Sequence, residues 1–399
     1  MKVLWLTQLP YTQLPNTKNP KGHPVPWITS LAKELSKKVD LTIISNNSKL
    51  EKDEEVYIDG VRYLFIKLHR ASINLLTANR LNSSIVRKHL EREILEHDIM
   101  HIHGSEGMYQ QACWDLAIPT VLSVQGIIDQ YYPHLQEHLS NRRILWKIIQ
   151  NTEQRYLSKM NNFMCRTDWD KGWVRKISPE SKIHHCWESL REEFFNYDIN
   201  PVNNNSVIYI GGCDYIKGYR EALKSFNTAL ESAPDMNMIF ITSGGLKDRK
   251  TILKFIKNQT LDNLNEHNLI FINRLSPIEL IEQYKNCFCL LHPSYIDNSP
   301  NTICEAQALG LPVIASNVGG VSSLIKHQET GILSSLKTEE LARSIATLYF
   351  DKNKQEYLST RAKLESRSRH NIFSVVNKTL NIYENIINTQ SKLAPVYSH

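Results

Sequence analysis

The chain has 399 residues, which is enough for two or three domains of ordinary size. Apolar residues make up 41% and charged residues 22%, and this composition excludes a mainly disordered chain. The net charge of +6 is too weak for this length to indicate nucleic-acid binding, although it suits contact with phosphates or an anionic membrane surface.

Signals for export, membrane insertion and disulfide formation are not found in the sequence. The start of the chain has only four apolar residues in succession, Val3 to Leu6, whereas a signal peptide needs roughly 7–15. No apolar run approaches the roughly 18 residues of a membrane-spanning helix. The seven cysteines are odd in number and contain no Cys-x-x-Cys pair, which argues against disulfides and a zinc site. We therefore expect a cytoplasmic protein.

In the first half, short apolar runs alternate with helical patterns, which predicts parallel strands covered on both faces. His101 and His103 lie two residues apart at the end of one such run. We expect their side chains to point to opposite faces, which would prevent them from sharing a metal ion. The predicted strands of this half are Val3–Leu6, Leu41–Ile44, Val61–Ile66, Ile99–Ile102, Thr120–Val124 and Phe163–Cys165.

The same pattern restarts after a polar linker at Asn203–Ser206. We therefore predict an α/β fold of two doubly wound parallel-sheet domains, residues 1–192 and 193–373, that face each other across a cleft. An apolar stripe at Ile372–Ile387 predicts a terminal helix, and we expect residues 374–399 to form it and to pack back on the first domain. The predicted strands of the second half are Val207–Ile210, Met238–Ile241, Leu269–Ile272, Phe288–Leu291 and Pro312–Ala315.

A glycine-rich turn follows the first strand of the second half. The strand ends in Gly211 and Gly212, and Lys217 with Gly218 opens a helix. Glycines let the backbone approach a ligand closely, and the amino end of a helix carries partial positive charge. A lysine there is locally unfavourable unless an anion such as a diphosphate binds beside it. Two interpretations remain, a diphosphate site and a solvated lysine on a surface turn.

Two carboxylates flank a second predicted helix start. Asp297 lies in the loop after a buried strand, and Glu305 lies in the first turns of the following helix. We expect Asn298 or Ser299 to cap this helix and Pro300 to take its first position. Free amides there would bind an anion or sugar hydroxyls, and a carboxylate can accept two hydrogen bonds from a diol such as ribose. The alternative is an ordinary cap beside a solvated glutamate.

A third turn of this kind contains Gly319 and Gly320 between a predicted strand and a predicted helix. It offers another set of backbone amides at a helix start. One such turn is a weak signal, but three in one domain are less readily explained by chance.

Together these motifs resemble the carboxyl-terminal domain of the retaining glycosyltransferases of family 4, which have the GT-B fold. Further matching elements are Phe271–Ser276, Leu309–Ala315 and Glu329–Leu333, and the order and spacing agree from Val207 to Leu333. The first half resembles the acceptor domain of the same family more faintly. The segments that carry this fainter resemblance are Lys21–Gly22, Ile99–Gly104, Thr120–Gly126 and Arg166–Asp170.

The resemblance implies a role for each matching residue. Lys217 would hold the donor diphosphate, and the amide of Gly22 would approach it from the other domain. Glu305 would hold the ribose hydroxyls, and Asp297, the first acid of the family's Glu-x7-Glu element, would face the transferred sugar. His103 would stand near the reacting carbon, so it joins Lys217, Asp297 and Glu305 as a predicted catalytic residue. The other predicted donor contacts are Gly211, Gly212, Arg274, Leu275, Asn298, Ser299, Pro300, Asn301, Thr302, Gly319 and Gly320.

Three residues depart from the family pattern. Gly212 stands where the family usually has an arginine, so one diphosphate-binding hydrogen bond of about 1.5–3 kcal/mol is missing. Arg166 and Arg191 are the candidates to replace that cation. Asp297 is shorter by one methylene than the family's glutamate, which alters its reach and the choice of donor sugar. Gln125 replaces a common histidine and removes a titratable group near the acceptor.

The resemblance predicts a retaining glycosyltransferase of the hexosyltransferase type, acting on a UDP- or GDP-sugar without a metal or other cofactor. Its acceptor would be a glycan or a lipid-linked molecule in bacterial surface polysaccharide synthesis, such as capsule or lipopolysaccharide. Two alternatives remain: a catalytically weak nucleotide-sugar-binding scaffold, and a GT-B sugar-nucleotide epimerase or phosphorylase. The basic helical segment Asn141–Gln150, which contains Trp146, either touches the inner membrane or packs on the sheet with its cations solvated.

Overall fold

The computed structural model describes residues 1–9, 25–48, 50–136 and 140–393. These residues form two compact units. The described residues up to Ser189 and those from Asn371 onward belong to unit 1, and Leu190–His370 belong to unit 2. The predicted domain ends at residues 192 and 373 each lie three residues beyond these boundaries.

Unit 1 is built on one mixed sheet, which has eight strands among the described residues. The strands are β1 (Lys2–Leu6), β2 (Asp40–Asn47), β3 (Glu54–Ile58), β4 (Val61–Lys67), β5 (Ile99–His103), β6 (Thr120–Ser123), β7 (Asn162–Cys165) and β8 (Lys182–His185). Their order across the sheet is β3-β4-β2-β1-β5-β6-β7-β8. β3 runs antiparallel to β4, and the other neighbouring strands are parallel.

Helices cover the sheet of unit 1. They are α1 (Pro26–Leu35), α2 (Ala71–Leu76), α3 (Arg80–Glu93), α4 (Gln110–Cys113), α5 (Ile128–Tyr131), α6 (Asn141–Tyr156) and α7 (Asp168–Ile177). α7 starts at a capping box, in which Thr167 and Asp170 each accept a hydrogen bond from the other's backbone amide.

Successive residues of β1 lie in two different hydrophobic clusters. Val3 and Trp5 pack in one cluster, and Leu4 and Leu6 pack in the other. Because side chains alternate across a strand, a strand buried on both faces reads as a continuous apolar run. The run Val3 to Leu6 therefore marks the centre of the sheet.

Unit 2 is built on a parallel sheet of six strands. The strands are β9 (Ser206–Ile210), β10 (Asn237–Ile241), β11 (Leu269–Ile272), β12 (Cys287–His292), β13 (Val313–Ser316) and β14 (Ile332–Ser334). Their order is β11-β10-β9-β12-β13-β14, so the chain order reverses between β9 and β12. In such sheets ligands bind outside the carboxyl ends of the strands at the point of reversal.

The helices of unit 2 connect these strands and then close the unit. They are α8 (Tyr219–Ala229), α9 (Leu246–Asn258), α10 (Pro277–Lys285), α11 (Asn301–Leu309), α12 (Thr338–Phe350) and α13 (Lys352–Arg369). α8 and α12 share a core with the sheet, in which Phe226, Phe240, Phe288 and Leu341 are fully buried.

The last helix, α14 (Ile372–Leu393), belongs to unit 1. Its residues Val375 and Tyr383 pack in the same cluster as Val3 and Trp5. The indole N–H of Trp5 donates to the Tyr383 hydroxyl at 3.0 Å, which joins β1 to α14. Across the described residues, none of the helices combines the length and apolarity needed to cross a membrane.

The three strands missing from the sequence prediction all lie at sheet edges: β3 and β8 in unit 1, and β14 in unit 2. In β3 the residues from Glu54 to Ile58 alternate between exposed and less exposed positions, and β14 has only three residues. β3 and β8 are covered less completely and β14 is short, so these three strands lack the longer apolar run that marks a central strand. β3 also makes the first sheet mixed, whereas a parallel sheet was predicted.

Candidate active site

The turn after β9 is shaped by two glycines. A Cβ atom on Gly211 would lie 2.3 Å from the Tyr209 hydroxyl oxygen and 2.8 Å from the Lys217 Cβ. Gly218 has a φ of +73° and is the N-cap residue of α8, directly after a short 3₁₀ turn at Tyr215–Lys217. The Tyr209 hydroxyl donates to the Lys217 carbonyl at 3.2 Å. The backbone of this turn is therefore fixed, while the Lys217 side chain remains 37% exposed.

The loop between β12 and α11 is tied to this turn. The amide of Tyr295 donates to the carbonyl of Ile216 at 2.8 Å, and the rings of Tyr215 and Tyr295 stack with centroids 4.6 Å apart. A Cβ on Gly218 would lie 1.8 Å from the Pro293 carbonyl oxygen, so only glycine allows this approach. These contacts hold the two loops together and so fix the backbone positions of Lys217 and Asp297.

Lys217 and Asp297 form an ion pair across these loops. The Lys217 ammonium lies 2.6 Å from Asp297 Oδ2, and the Asp297 side chain is 11% exposed. The same oxygen lies 3.2 Å from His292 Nε2. Burial alone would raise the pKa of Asp297, but the Lys217 charge and the His292 hydrogen bond lower that pKa well below its usual value. Asp297 is therefore ionised and directly opposite the lysine.

The start of α11 differs from the prediction. The helix begins at Asn301, and Pro300 is the N-cap residue rather than the first helical residue, because its ψ of 122° is extended. Since Pro300 occupies the N-cap position, neither Asn298 nor Ser299 is the N-cap residue that the sequence predicted. The hydroxyl oxygen of Ser299 and the amide oxygen of Asn301 are buried and accept no hydrogen bond from the described residues. Such orphaned atoms call for a ligand or water as partner.

Glu305 is buried on α11, which excludes the solvated glutamate that was the alternative interpretation. Arg191 donates to its Oε1 twice, from Nε at 3.0 Å and from Nη2 at 2.7 Å. Burial raises the pKa of Glu305, and the Arg191 charge opposes that rise. Arg191 also packs over the ring of Phe194 at 4.7 Å. The carboxylate is thus held in one orientation by a guanidinium that is itself packed.

The Gly319–Gly320 turn packs against the backbone of Asp297. A Cβ on Gly319, whose φ is +52°, would lie 2.0 Å from the Asp297 carbonyl oxygen. The amide of Gly320 donates to that same oxygen at 2.9 Å, so the free amide predicted for Gly320 is already used within the protein. A short 3₁₀ turn, Val321–Ser323, follows in place of the predicted helix.

Gly212 stands beside a carboxylate. Its φ is +54°, and a Cβ there would lie 3.0 Å from Asp248 Oδ2. Asp248 accepts hydrogen bonds from the amides of Ser243 and Gly244 at 3.1 and 2.8 Å. The position where the family resemblance led us to expect an arginine therefore has an anionic neighbour.

The two candidates for a replacement cation both pair with carboxylates. Arg166 lies in unit 1, where its Nη2 is 3.0 Å from Glu188 Oε2. Arg191 is bound to Glu305. Their contacts give no support to the predicted replacement, because each charge is already balanced by a buried acid.

The other predicted donor contacts lie on separate parts of the chain. Arg274 is exposed and Leu275 is half-buried, in the loop after the edge strand β11. Thr302 lies on the first turn of α11, with its hydroxyl 3.4 Å from His292 Nδ1. Gly22 lies outside the described residues.

His103 lies in unit 1 and shares one face of β5 with His101. Their ring centroids are 3.8 Å apart, so the prediction of opposite faces was wrong. Residues two apart in a strand point to the same face. Burial lowers the pKa of His101 to about 3 and that of His103 well below its usual value. Within the described ranges, no group of three or more His, Cys, Asp or Glu side chains is arranged to hold a metal ion.

Sequence reasoning missed His292 and Ser294. His292 is the last residue of β12, and its Nε2 lies 2.9 Å from the Ser294 hydroxyl as well as near Asp297. The available signal was a titratable residue at the end of an otherwise apolar strand, five residues before a predicted site acid.

The chain is similar in sequence and in fold to known glycosyltransferases. Residues 191–365 match the model of a family described as Glycosyl transferases group 1. An uncharacterized glycosyltransferase of Haemophilus influenzae is 24% identical over 271 residues, which cover 63% of this chain and 72% of that protein. Sucrose-phosphate synthase from Thermosynechococcus elongatus has a TM-score of 0.76 at 14% identity, covering 97% of this chain and 99% of the other. The Anabaena protein HepE, solved in complex with UDP and glucose, has a TM-score of 0.66 at 15% identity, covering 96% and 100%.

The family match spans the whole cluster in unit 2, from Arg191 through Lys217 and Asp297 to the Gly319–Gly320 turn. The structural likeness extends over nearly the entire chain and includes both α/β units, which confirms the predicted α/β fold class of GT-B type. The chain therefore has the two-domain GT-B fold, and its residues 191–365 are similar to the glycosyl transferases group 1 family.

Proposed function

We propose that the protein is a retaining glycosyltransferase that moves a hexose from a UDP- or GDP-sugar to a glycan or lipid-linked acceptor without a metal ion. The observation that carries this proposal is the Lys217 ammonium just before α8, which is paired with Asp297 in the loop that leads into α11. The complex of HepE with UDP and glucose supports a nucleotide-sugar donor.

Stabilisation of the leaving group is the chemical basis of the proposal. When the bond between the sugar and the diphosphate breaks, negative charge grows on the diphosphate. The Lys217 ammonium is held beside this position by Asp297, and the amino ends of α8 and α11 are fixed in place before that charge develops. Such preorganised donors act most strongly on the transition state.

The rest of the donor would be held by Glu305 and by two buried oxygens of the described chain, those of Ser299 and Asn301. Glu305, oriented by Arg191, would accept hydrogen bonds from the ribose hydroxyls. The buried oxygens of Ser299 and Asn301 accept no hydrogen bond from the rest of the described chain. Donor hydroxyls would satisfy them, which would remove the cost of burying them unpaired.

The first test measures thermal stabilisation by UDP, GDP, ADP and CMP and by their sugar conjugates. A ligand at 100 times its dissociation constant should stabilise the protein by about 2.7 kcal/mol. We expect one nucleoside diphosphate series to stabilise it and Glu305→Gln to abolish the effect. Glu282→Gln, an exposed acid paired with Lys285, is the matched control and should leave the effect unchanged. Absence of stabilisation by every nucleotide would contradict the proposal.

The second test identifies the product with the donor found in the first. Transfer with retained anomeric configuration, undiminished by a metal chelator, is the expected result. Conversion of the nucleotide sugar without any acceptor would instead indicate an epimerase, and a requirement for free phosphate would indicate a phosphorylase. Inverted configuration would overturn the retaining mechanism.

A nucleotide-sugar-binding scaffold is the second candidate function, and the surroundings of Gly212 favour it. The neighbouring carboxylate of Asp248 opposes a diphosphate where the family resemblance leads one to expect a cation. This candidate predicts nucleotide-sugar binding without turnover for any acceptor. Restoring an arginine at position 212 would not be informative alone, because the positive φ of Gly212 disfavours any side chain there.

The proposal places the reaction in bacterial surface polysaccharide synthesis, with contact to the inner membrane through α6. Ile144 on α6 is 53% exposed, whereas Trp146 packs in a small cluster with Met108 and Ile149. Arg142 lies over the Trp146 ring at 4.7 Å. We expect binding to vesicles that contain phosphatidylglycerol but not to phosphatidylcholine vesicles, and Ile144→Asp should weaken it. Equal binding to both vesicle types would contradict the contact.

A further inference from the structure

His292 is a buried titratable residue in the middle of the candidate site, and the proposed reaction gives it no role. It is 4% exposed at the end of β12. Its Nε2 lies 3.2 Å from Asp297 Oδ2 and 2.9 Å from the Ser294 hydroxyl. Its Nδ1 lies 3.4 Å from the Thr302 hydroxyl on α11. The ring therefore links the loop of Asp297 to the first turn of α11.

Asp297 has two partners on one oxygen, and only one of them is free to move. Lys217 is 37% exposed at its side chain and sits on a flexible four-carbon stem, whereas His292 is held in the core. An arriving diphosphate would compete with Asp297 for the lysine. Once Lys217 turns to the diphosphate, the buried carboxylate loses its balancing charge, a state that is strongly unfavourable unless another group compensates.

We propose that His292 is a positioning residue of this site: when a donor diphosphate draws Lys217 away from Asp297, the His292–Asp297 pair takes up one proton from solvent and holds the carboxylate in place. This inference rests on the proposed nucleotide-sugar binding by Lys217. It goes beyond that function because it predicts that donor binding and proton uptake are coupled.

The surroundings of the ring can accommodate both protonation states. With the neutral ring protonated at Nε2, that N–H donates to Asp297, and Nδ1 accepts from the Thr302 hydroxyl. After proton uptake Nδ1–H becomes a donor, and the same hydroxyl can turn to accept. The charged groups that face His292 are Asp297 from its own loop and Lys217 from the turn before α8.

The electrostatics of the resting site point in the same direction. Burial lowers the pKa of His292, Asp297 raises it, and Lys217 lowers it. Departure of the Lys217 charge removes one of the lowering effects, and arrival of the diphosphate adds negative charge nearby. Both changes favour the protonated ring.

The test is calorimetric titration of the full chain with UDP-glucose and GDP-mannose at pH 6, 7 and 8, in buffers of different ionisation enthalpy. Nucleotide sugars are used because a free terminal phosphate itself titrates near pH 6. We expect wild-type protein to take up a measurable fraction of a proton at pH 7. Its dissociation constant should rise with pH, by up to about tenfold per unit where uptake is complete.

Single variants identify the residue that takes up the proton when the nucleotide sugar binds. His292→Gln should still bind the nucleotide sugar, with proton uptake near zero and a flat dependence on pH. His267→Gln, an exposed histidine of the same unit, should behave like wild type. Asp297→Asn should also bind without uptake, and several-fold more tightly, because Lys217 no longer has a competing partner. Asp297→Asn carries the test if His292→Gln does not fold.

The outcomes separate this inference from the proposed function. Binding without proton uptake by wild-type protein overturns the inference and leaves the function in place. Undiminished uptake in His292→Gln assigns the proton elsewhere and overturns the role of His292. Weaker binding by Asp297→Asn contradicts the competition for Lys217. Failure of every nucleotide sugar to bind overturns both the function and this inference.

Discussion

The two units place polar side chains at the carboxyl ends of central strands but surround them in opposite ways. In unit 1, His101 and His103 at the end of β5 pack against the ring of Trp5, and burial lowers the pKa of both. In unit 2, Lys217 is partly exposed and pairs with an ionised Asp297. The carboxyl end of a central strand can therefore hold neutral side chains in one place, as in unit 1, or charged side chains that can exchange partners, as in unit 2. The side chains that cover the strand end decide between these outcomes.

Removing the indole that covers the histidines should have the largest effect on stability. Trp5 is fully buried, and Trp5→Ala should cost unit 1 about 3–5 kcal/mol in its free energy of unfolding, because the cavity cannot collapse completely. Hydrogen exchange should show this loss in β1 and β5 but not in β9 and β12. Trp114→Ala, at a 38% exposed residue, is the control and should change little. Equal loss of protection in both units would contradict the separation of their cores.

Removing the partly exposed charge of Lys217 should affect turnover instead of folding. Lys217→Ala should lower kcat by about 10²–10³-fold, since one preorganised donor to the leaving group is lost. The control is Lys224→Ala, a lysine further along α8, which should retain turnover. Steady-state kinetics with the identified donor and acceptor make the comparison. Retained turnover in Lys217→Ala would contradict the role of Lys217 in the proposed function.

The central strands could be predicted because burial on both faces leaves a plain apolar run. β1, β9 and β12 are examples, and the predicted runs lie within their observed bounds. β3 and β8 could not be predicted this way, because at the sheet edges their residues are only partly buried. Pairing with a neighbour, and not their own composition, makes them strands.

The spacing of motifs indicated which loops meet, but not what the side chains do there. Lys217, Asp297 and the Gly319–Gly320 turn follow β9, β12 and β13, which are neighbours in the sheet, and the structure brings them together. The pairing of Arg191 with Glu305 joins residues 114 positions apart, and no local pattern predicts it. The use of the Gly320 amide by Asp297 was likewise invisible, because backbone hydrogen bonds leave no signature in composition.

Removing the Tyr383 hydroxyl should have a smaller effect on the stability of unit 1 than removing the Trp5 indole. The Tyr383 hydroxyl accepts from the Trp5 indole at 3.0 Å and lies 2.5 Å from His101 Nδ1. Tyr383→Phe leaves buried groups without a partner and should cost about 1–3 kcal/mol in the stability of unit 1, measured by hydrogen exchange in β1. Tyr57→Phe, whose hydroxyl is on a 69% exposed residue, should change little. An unchanged β1 in Tyr383→Phe would show that α14 is held by apolar packing alone.

The pH dependence of unit 1 should give the sharpest contrast with unit 2. Burial lowers the pKa of His101 to about 3, whereas an unfolded histidine titrates near 6.5. The folded state therefore binds fewer protons, so this stabilisation is complete above pH 6.5 and is lost as the pH falls toward 3. The loss amounts to about 1.4 kcal/mol per pH unit for one histidine. Burial raises the pKa of Glu153 to about 8, so its contribution is lost as the pH rises and has the opposite slope.

The difference in stability between wild type and a single His101 variant removes the contribution that Glu153 and the other buried groups make to the pH dependence. Between pH 6 and pH 4, opening of β5 measured by hydrogen exchange should become easier in wild type than in His101→Gln by about 1.4 kcal/mol per unit, relative to their difference at pH 8. His267→Gln should follow wild type at every pH, since the residue is exposed in unit 2. Parallel curves for wild type and His101→Gln would mean that His101 can be protonated without opening β5. Unit 1 would then resemble unit 2, with a strand end that tolerates charge, and the contrast between the two units would rest on exposure alone.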